Sequence, residues 1–242
     1  AEGVQQRVRF HTTDGSIDGS LAIGLDTPST PTFGFTTLLL MENNLRIKYD
    51  DTSSTASFPN NDWSLEANES SNGGRNAFFL RDCGVSSQGN CSGNAVFTVE
   101  AGARNNALYV EDDGDIGIGT STPAVDVHIQ TGNTPTLRLA QDGSSGFTPQ
   151  TWDVAGNETN FFIRDATNGS TLPFRIRPGA PTSTIDVSAT GNIGVNTASP
   201  ATKLHVRDTS AANSTIRIED TANESAVEFL SDSSGDAWDS II

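Results

Sequence analysis

Apolar and polar residues alternate in short bursts along this chain: Leu45-Arg46-Ile47-Lys48-Tyr49, Phe97-Thr98-Val99, Val125-Asp126-Val127-His128-Ile129 and Thr215-Ile216-Arg217-Ile218. A period of two marks a strand with one packed face, because successive side chains leave opposite sides of the backbone. No sustained 3.6-residue apolar period accompanies these bursts, so little helix is expected. Gly, Ser, Thr, Asn and Asp fill the intervals, residues that accept positive φ or hydrogen-bond locally in turns. The pattern predicts an all-β chain of short strands.

The alternation itself repeats. Residues 97–130 match residues 174–207 without a gap at an offset of 77, with identity at Phe97, Gly102, Ala103, Val110, Gly114, Ile116, Gly117, Thr120, Pro123, Ala124 and His128, eleven of 34 positions. Leu45-Arg46-Ile47, Leu137-Arg138-Leu139 and Ile216-Arg217-Ile218 read as three copies of one strand, each leading to a tryptophan, Trp63, Trp152 or Trp238. Phe78-Phe79-Leu80-Arg81-Asp82 and Phe161-Phe162-Ile163-Arg164-Asp165 follow the first two. A degenerate glycine motif, Gly19-Ser20-Leu21-Ala22-Ile23-Gly24, aligns with Gly114 onward at an offset of 95. The chain thus divides into a partial repeat at 1–44, a repeat at 45–130, a second at 131–207 and a partial one at 208–242. Such periodicity predicts tandem units stacked into an elongated rod, as a β-solenoid, a β-prism or small β-sandwiches. The chain starts inside one unit and stops inside another, which implies a fragment of a longer protein or a unit completed by a neighbouring subunit.

Composition changes this picture in two ways. Only 34% of the residues are apolar, too few for each unit to close a core alone, so units are expected to borrow apolar surface from neighbours. The formal net charge of −16 argues against nucleic acid, which needs clustered Lys and Arg. No run of about 18 apolar residues exists, so no membrane span is expected. The chain begins with Ala1, the form of a secreted chain after its leader is cleaved and equally that of a trimmed one. Cys83 and Cys91 both fall in a segment longer than its counterpart, 14 residues from Cys83 to Val96 against 8 from Ala166 to Pro173. A thiol pair framing an extra loop predicts a disulfide, and hence an oxidising, extracellular compartment.

The remaining motifs read as structure. Ile116-Gly117-Ile118-Gly119-Thr120 lacks the Lys and helix of a phosphate loop, and Asp112, Asp113 and Asp115 would repel a phosphate. Gly117 and Gly194 are expected where backbones approach closely or a bulge bends the strand. His128 and His205 recur once per unit, the behaviour of packing residues rather than of a catalytic base. Asp112, Asp113 and Asp115 are the calcium candidates, without EF-hand spacing and with the acids lost in the second copy. No other cofactor is expected. Trp63, Trp152 and Trp238, with Phe79 and Phe162, are expected as repeated core plugs, the competing reading being a sugar-stacking platform.

The strings GDIGIGTSTPAVDVHI at 114–129 and GNIGVNTASPATKLHV at 191–206 resemble the repetitive shaft regions of phage tail-fibre-like and bacterial secreted fibre proteins. Residues 151–181 are similar to the segment preceding this string in many of them. The resemblance spans about residues 45–242 and implies a non-enzymatic secreted fibre subunit that assembles with itself. Such proteins often carry a chaperone domain that assembles a homotrimer; no such domain is seen in the sequence. The expected partner is the chain itself, as a homotrimer or head-to-tail filament. Val8, Phe10, Trp238 and Ile241 are the candidate joining residues, through strand addition at an open sheet edge. The competing class is a receptor- or glycan-binding adhesin whose loops, above all the Cys83–Cys91 insertion, carry recognition. A polysaccharide-degrading enzyme would need convergent carboxylates, whereas most acids here fall in turns.

Overall fold

The computed structural model describes residues 18–55, 57–85, 89, 91–208 and 216–217. These form sixteen strands in five open sheets, with no helix among the described residues. The chain divides into two compact units, the first ending at Gln130 and the second beginning at Thr131. Val8, Phe10, His11, Trp238 and Ile241 lie outside the described residues.

The first unit opens with β1 (Leu21–Ile23) parallel to β2 (Leu38–Leu40). An antiparallel meander follows: β3 (Leu45–Tyr49), β4 (Asp62–Ala67), β5 (Ala77–Gly84) and β6 (Ala95–Glu100). A three-stranded sheet of β7 (Tyr109–Val110), β8 (Ile116–Ile118) and β9 (Val127–Ile129) ends the unit. The second unit repeats this plan. Its meander is β10 (Thr136–Gln141), β11 (Gln150–Gly156), β12 (Phe161–Asp165) and β13 (Thr171–Ile176). Its small sheet is β14 (Ile185–Val187), β15 (Ile193–Val195) and β16 (Leu204–Val206).

The glycine motifs build one local structure three times. β1, β8 and β15 each lie parallel to the strand that follows the motif. One backbone bond closes each pair: Met41 N donates to Ile23 O at 2.8 Å, Gln130 N to Ile118 O at 2.9 Å and Arg207 N to Val195 O at 3.0 Å. Gly117 and Gly194 are buried where the loop returns, and a Cβ there would collide with the Thr120 or Thr197 carbonyl. Two residues on, the backbone needs positive φ, supplied by Gly119 (83°) and Asn196 (59°). Asn is among the few side chains that accept this region, so the second unit does without glycine there, whereas a Cβ at Gly119 would also collide with the Arg104 guanidinium and the Gln130 carbonyl.

The meanders also share a defect. Pairing of β5 with β6 skips Val96, and pairing of β12 with β13 breaks at Leu172-Pro173. Pro173 stands in repeat register with Val96, and an unpaired bulge position on an edge strand is where a residue without an N–H is tolerated.

One sequence expectation needs correction. Leu45-Arg46-Ile47 and Leu137-Arg138-Leu139 are not equivalent copies, because Tyr49 faces Trp63 while Leu139 faces Trp152. The second triplet has slid two residues against the tryptophan strand. A slide of two keeps every side chain on its face, so the pattern of alternation does not reveal it.

Candidate functional site

The two faces of each meander differ in an unexpected sense: one encloses a carboxylate and a phenylalanine beneath partly exposed basic side chains, and the other is apolar and open. On the charged face of the first meander, Glu66 is 3% exposed. Arg81 Nε donates to Glu66 Oε2 at 2.8 Å, Arg46 Nε lies 3.5 Å from Oε1, and Ser64 Oγ donates to Oε1 at 2.9 Å. Phe79 is fully buried with the Arg81 and Arg75 guanidinium carbons 4.7 and 5.1 Å from its ring centre. Arg75 in turn pairs with Glu69 at 2.9 Å. Next along the face, Lys48 Nζ lies 3.2 Å from the buried Asp62 carboxylate. Guanidinium planes thus roof an aromatic ring and hold a carboxylate, which a dry interior would otherwise reject.

The second meander repeats the device on Asp153, which is fully buried. Arg138 donates through Nε at 2.7 Å and Nη2 at 3.0 Å, and Arg164 through Nη2 at 2.6 Å and Nε at 2.9 Å. The hydrogen bonds from Arg138 and then Arg164 hold the Asp153 carboxyl down at about 2. Phe162 is buried, with the Arg164 guanidinium carbon 5.7 Å from its ring centre. The carboxylate has changed place: relative to the tryptophan, Ser64 and Glu66 stand where the second unit has Asp153 and Ala155.

The opposite face is apolar in both units. Strand register puts Trp63, Leu65, Phe78, Leu80, Phe97 and Val99 on one side of the first sheet. Trp152, Val154, Phe161, Ile163, Phe174 and Ile176 occupy the matching places in the second. Ile47 and Tyr49 extend the first face, Leu137 and Leu139 the second. Twelve of these side chains are open to solvent, from 37% for Trp152 to 56% for Tyr49 and Leu139. The tryptophans therefore do not plug a core within the chain. Trp63 is 38% exposed, and the buried aromatic of each meander is Phe79 or Phe162. Alternation is the reason, since a side chain one residue from Ser64 or Asp153 must leave the other face.

The other candidates are dispersed. His128 faces Gly117 and His205 faces Gly194 across parallel pairs. His205 Nδ1 accepts the Ala201 N–H at 3.3 Å, whereas His128 Nδ1 has no partner. Cys83 and Cys91 form a disulfide with Cα atoms 4.9 Å apart, as the insertion predicted, and Arg81 Nη1 donates to Gly93 O of that loop at 3.3 Å. The disulfide is compatible with an extracellular location. The acidic turn differs from expectation: Glu111, Asp113 and Asp115 come together, with ligand atoms within 4.8 Å, and Asp112 is not part of the group. The turn between β7 and β8 is the reason: Glu111 N–H donates to the Asp115 carbonyl at 2.8 Å and Gly114 N–H to the Glu111 carbonyl at 3.1 Å, which sets Glu111 beside Asp115. Burial raises the Glu111 and Asp115 carboxyls, and neighbouring acids add to the effect. A shallow hollow of about 310 Å³ at the β10–β11 hairpin is lined by Gln141, Asp142 and Phe147.

Sequence reasoning missed Glu66, Asp153 and Ser64. The available signal was an Arg inside each apolar strand, which requires a buried acceptor nearby. No protein-family model and no curated protein matches this chain. No helix among the described residues is long and apolar enough to cross a membrane.

Proposed function

We propose that the chain is a non-enzymatic structural subunit of a secreted extracellular fibre, in which β-rich repeats stack and copies assemble with one another. The observation that carries this reading is the open apolar face on each meander, six matched positions repeated in two units. Among the described residues, the buried apolar side chains are only Ala77, Phe79, Ala155 and Phe162. A chain with so little enclosed apolar volume gains stability mainly by covering its open faces. Recurrence of His128 and His205 at one place per repeat supports a packing role over a catalytic one. Negative-stain electron microscopy with sedimentation velocity tests the proposal. Rods or defined oligomers are expected, and a monomer at every concentration would overturn it.

A second reading, a tail-fibre-like adhesin for surface glycans, draws on Phe147, 68% exposed beside the hairpin hollow, and on the disulfide-bonded loop. Saturable glycan binding lost on altering either loop would favour it.

A further inference from the structure

We infer that the apolar face of each four-stranded sheet is covered by the corresponding face of a second copy of this chain. The inference rests on the fibre-subunit reading and names the joint. Each face is free of charge apart from an aspartate at one end, Asp82 or Asp165. Chains carrying a net charge of −16 repel one another, and association is least opposed where the surface holds no charge. With about 80 Å² uncovered on each of six large side chains, of the roughly 150–250 Å² such residues bury, a face offers on the order of 500 Å². A face-to-face pair thus buries about 1,000 Å² in total, the size at which a specific interface begins.

The repeat selects the occupant. An unrelated partner would need two apolar faces matching Trp63, Phe78 and Phe97 in one unit and Trp152, Phe161 and Phe174 in the other. A second copy already carries both. The sheet edges point the same way, because they carry devices that discourage strand addition. β13 has Pro173 at its bulge and β6 an equivalent bulge at Val96. The outer strands on the far side, β3 and β10, carry Arg46, Lys48 and Arg138. Bulges, prolines and basic side chains on outer strands block edge pairing, which leaves the faces for the joint.

The test is sedimentation velocity over a concentration series, comparing the wild-type chain with Phe97→Glu/Phe174→Glu and with the loop control Asn105→Glu/Asn133→Glu. The face variant should associate at least roughly a hundredfold more weakly, with unchanged circular dichroism, as replacing two aromatic contacts by charges on an apolar joint does. The control should stay near wild type. Assembly of the face variant at wild-type strength overturns the inference and leaves the fibre reading standing. A wild-type chain that never associates sinks both. Should the face variant unfold, acrylamide quenching of Trp63 and Trp152 in a Trp238→Phe chain decides the matter. Quenching should fall several-fold between dilute and assembled protein, and unchanged quenching overturns the inference.

Discussion

In the first meander a glutamate lies beneath Arg46 and Arg81, with Ser64 hydrogen-bonded beside it. In the second, an aspartate stands in the serine's place beneath Arg138 and Arg164, and Ala155 takes the glutamate's. The outer strand has moved as well, bringing Arg138 opposite residue 153 where the first sheet has Lys48 opposite Ser64. Arginine and carboxylate have therefore shifted together by one place along the same face. Both units keep one buried aromatic, two guanidinium groups and one carboxylate beneath them. The row that holds the acid is free to vary, because a two-residue slide preserves faces and the ion pair moves as a unit.

The sharpest way to break this parallel is to remove the ring. Phe79→Ala and Phe162→Ala should each cost about 3–5 kcal/mol in urea unfolding. Phe79 is expected to cost more, since two guanidinium groups pack on it rather than one. A larger loss at Phe162 would refute the assignment.

Transplanting the acid tests the coupling. Asp153→Ser/Ala155→Glu should lower the melting temperature of the second unit, and adding Thr136→Arg/Arg138→Lys should recover at least roughly half of the loss, as coupled charge pairs do. No recovery would mean that the acid and its register are independent. The aspartate also predicts an acid limb. Its folded carboxyl lies at about 2 and its ordinary value is 3.8, so the unfolded chain binds the proton more readily between these values. Stability from this group is present above 3.8 and is lost as pH falls towards 2. Near pH 3, unfolding should take up about 0.8 proton at this site, and Asp153→Asn should abolish that uptake.

The glycine turns sharpen the comparison at lower cost. Gly117→Ala and Gly194→Ala should each destabilise by about 1–3 kcal/mol, since the added methyl meets a backbone carbonyl in both units. A neutral effect at one site would show that its turn can open. Asn196→Gly should cost at most about 1 kcal/mol, because both residues accept the positive φ there and the loss is that of the exposed Asn196 Nδ2 hydrogen bond to the Arg207 carbonyl.

Much of the fold could be read from residue order. Alternation located β3, β6 and β9, the repeated glycines marked a close backbone approach at Gly117 and Gly194, and paired cysteines in an insertion located the disulfide. The candidate surface was only half legible. Trp63 and Trp152 stood out as recurring aromatics, but alternation does not tell which face of a sheet is covered. The acids were harder. Glu66 and Asp153 do not align in the repeat, and only strand pairing shows that each follows its arginine.

From residue order alone came the β class, the two-fold internal repetition and the turns, because these depend on local backbone preference and on a period of two. Tertiary structure decided the rest: which carboxylate and which aromatic are enclosed, which side chains stay open, and where each carboxylate meets its guanidinium groups. Those outcomes depend on register between strands. Alternation is blind to register whenever the shift is two residues, because the same side chains then face the same side.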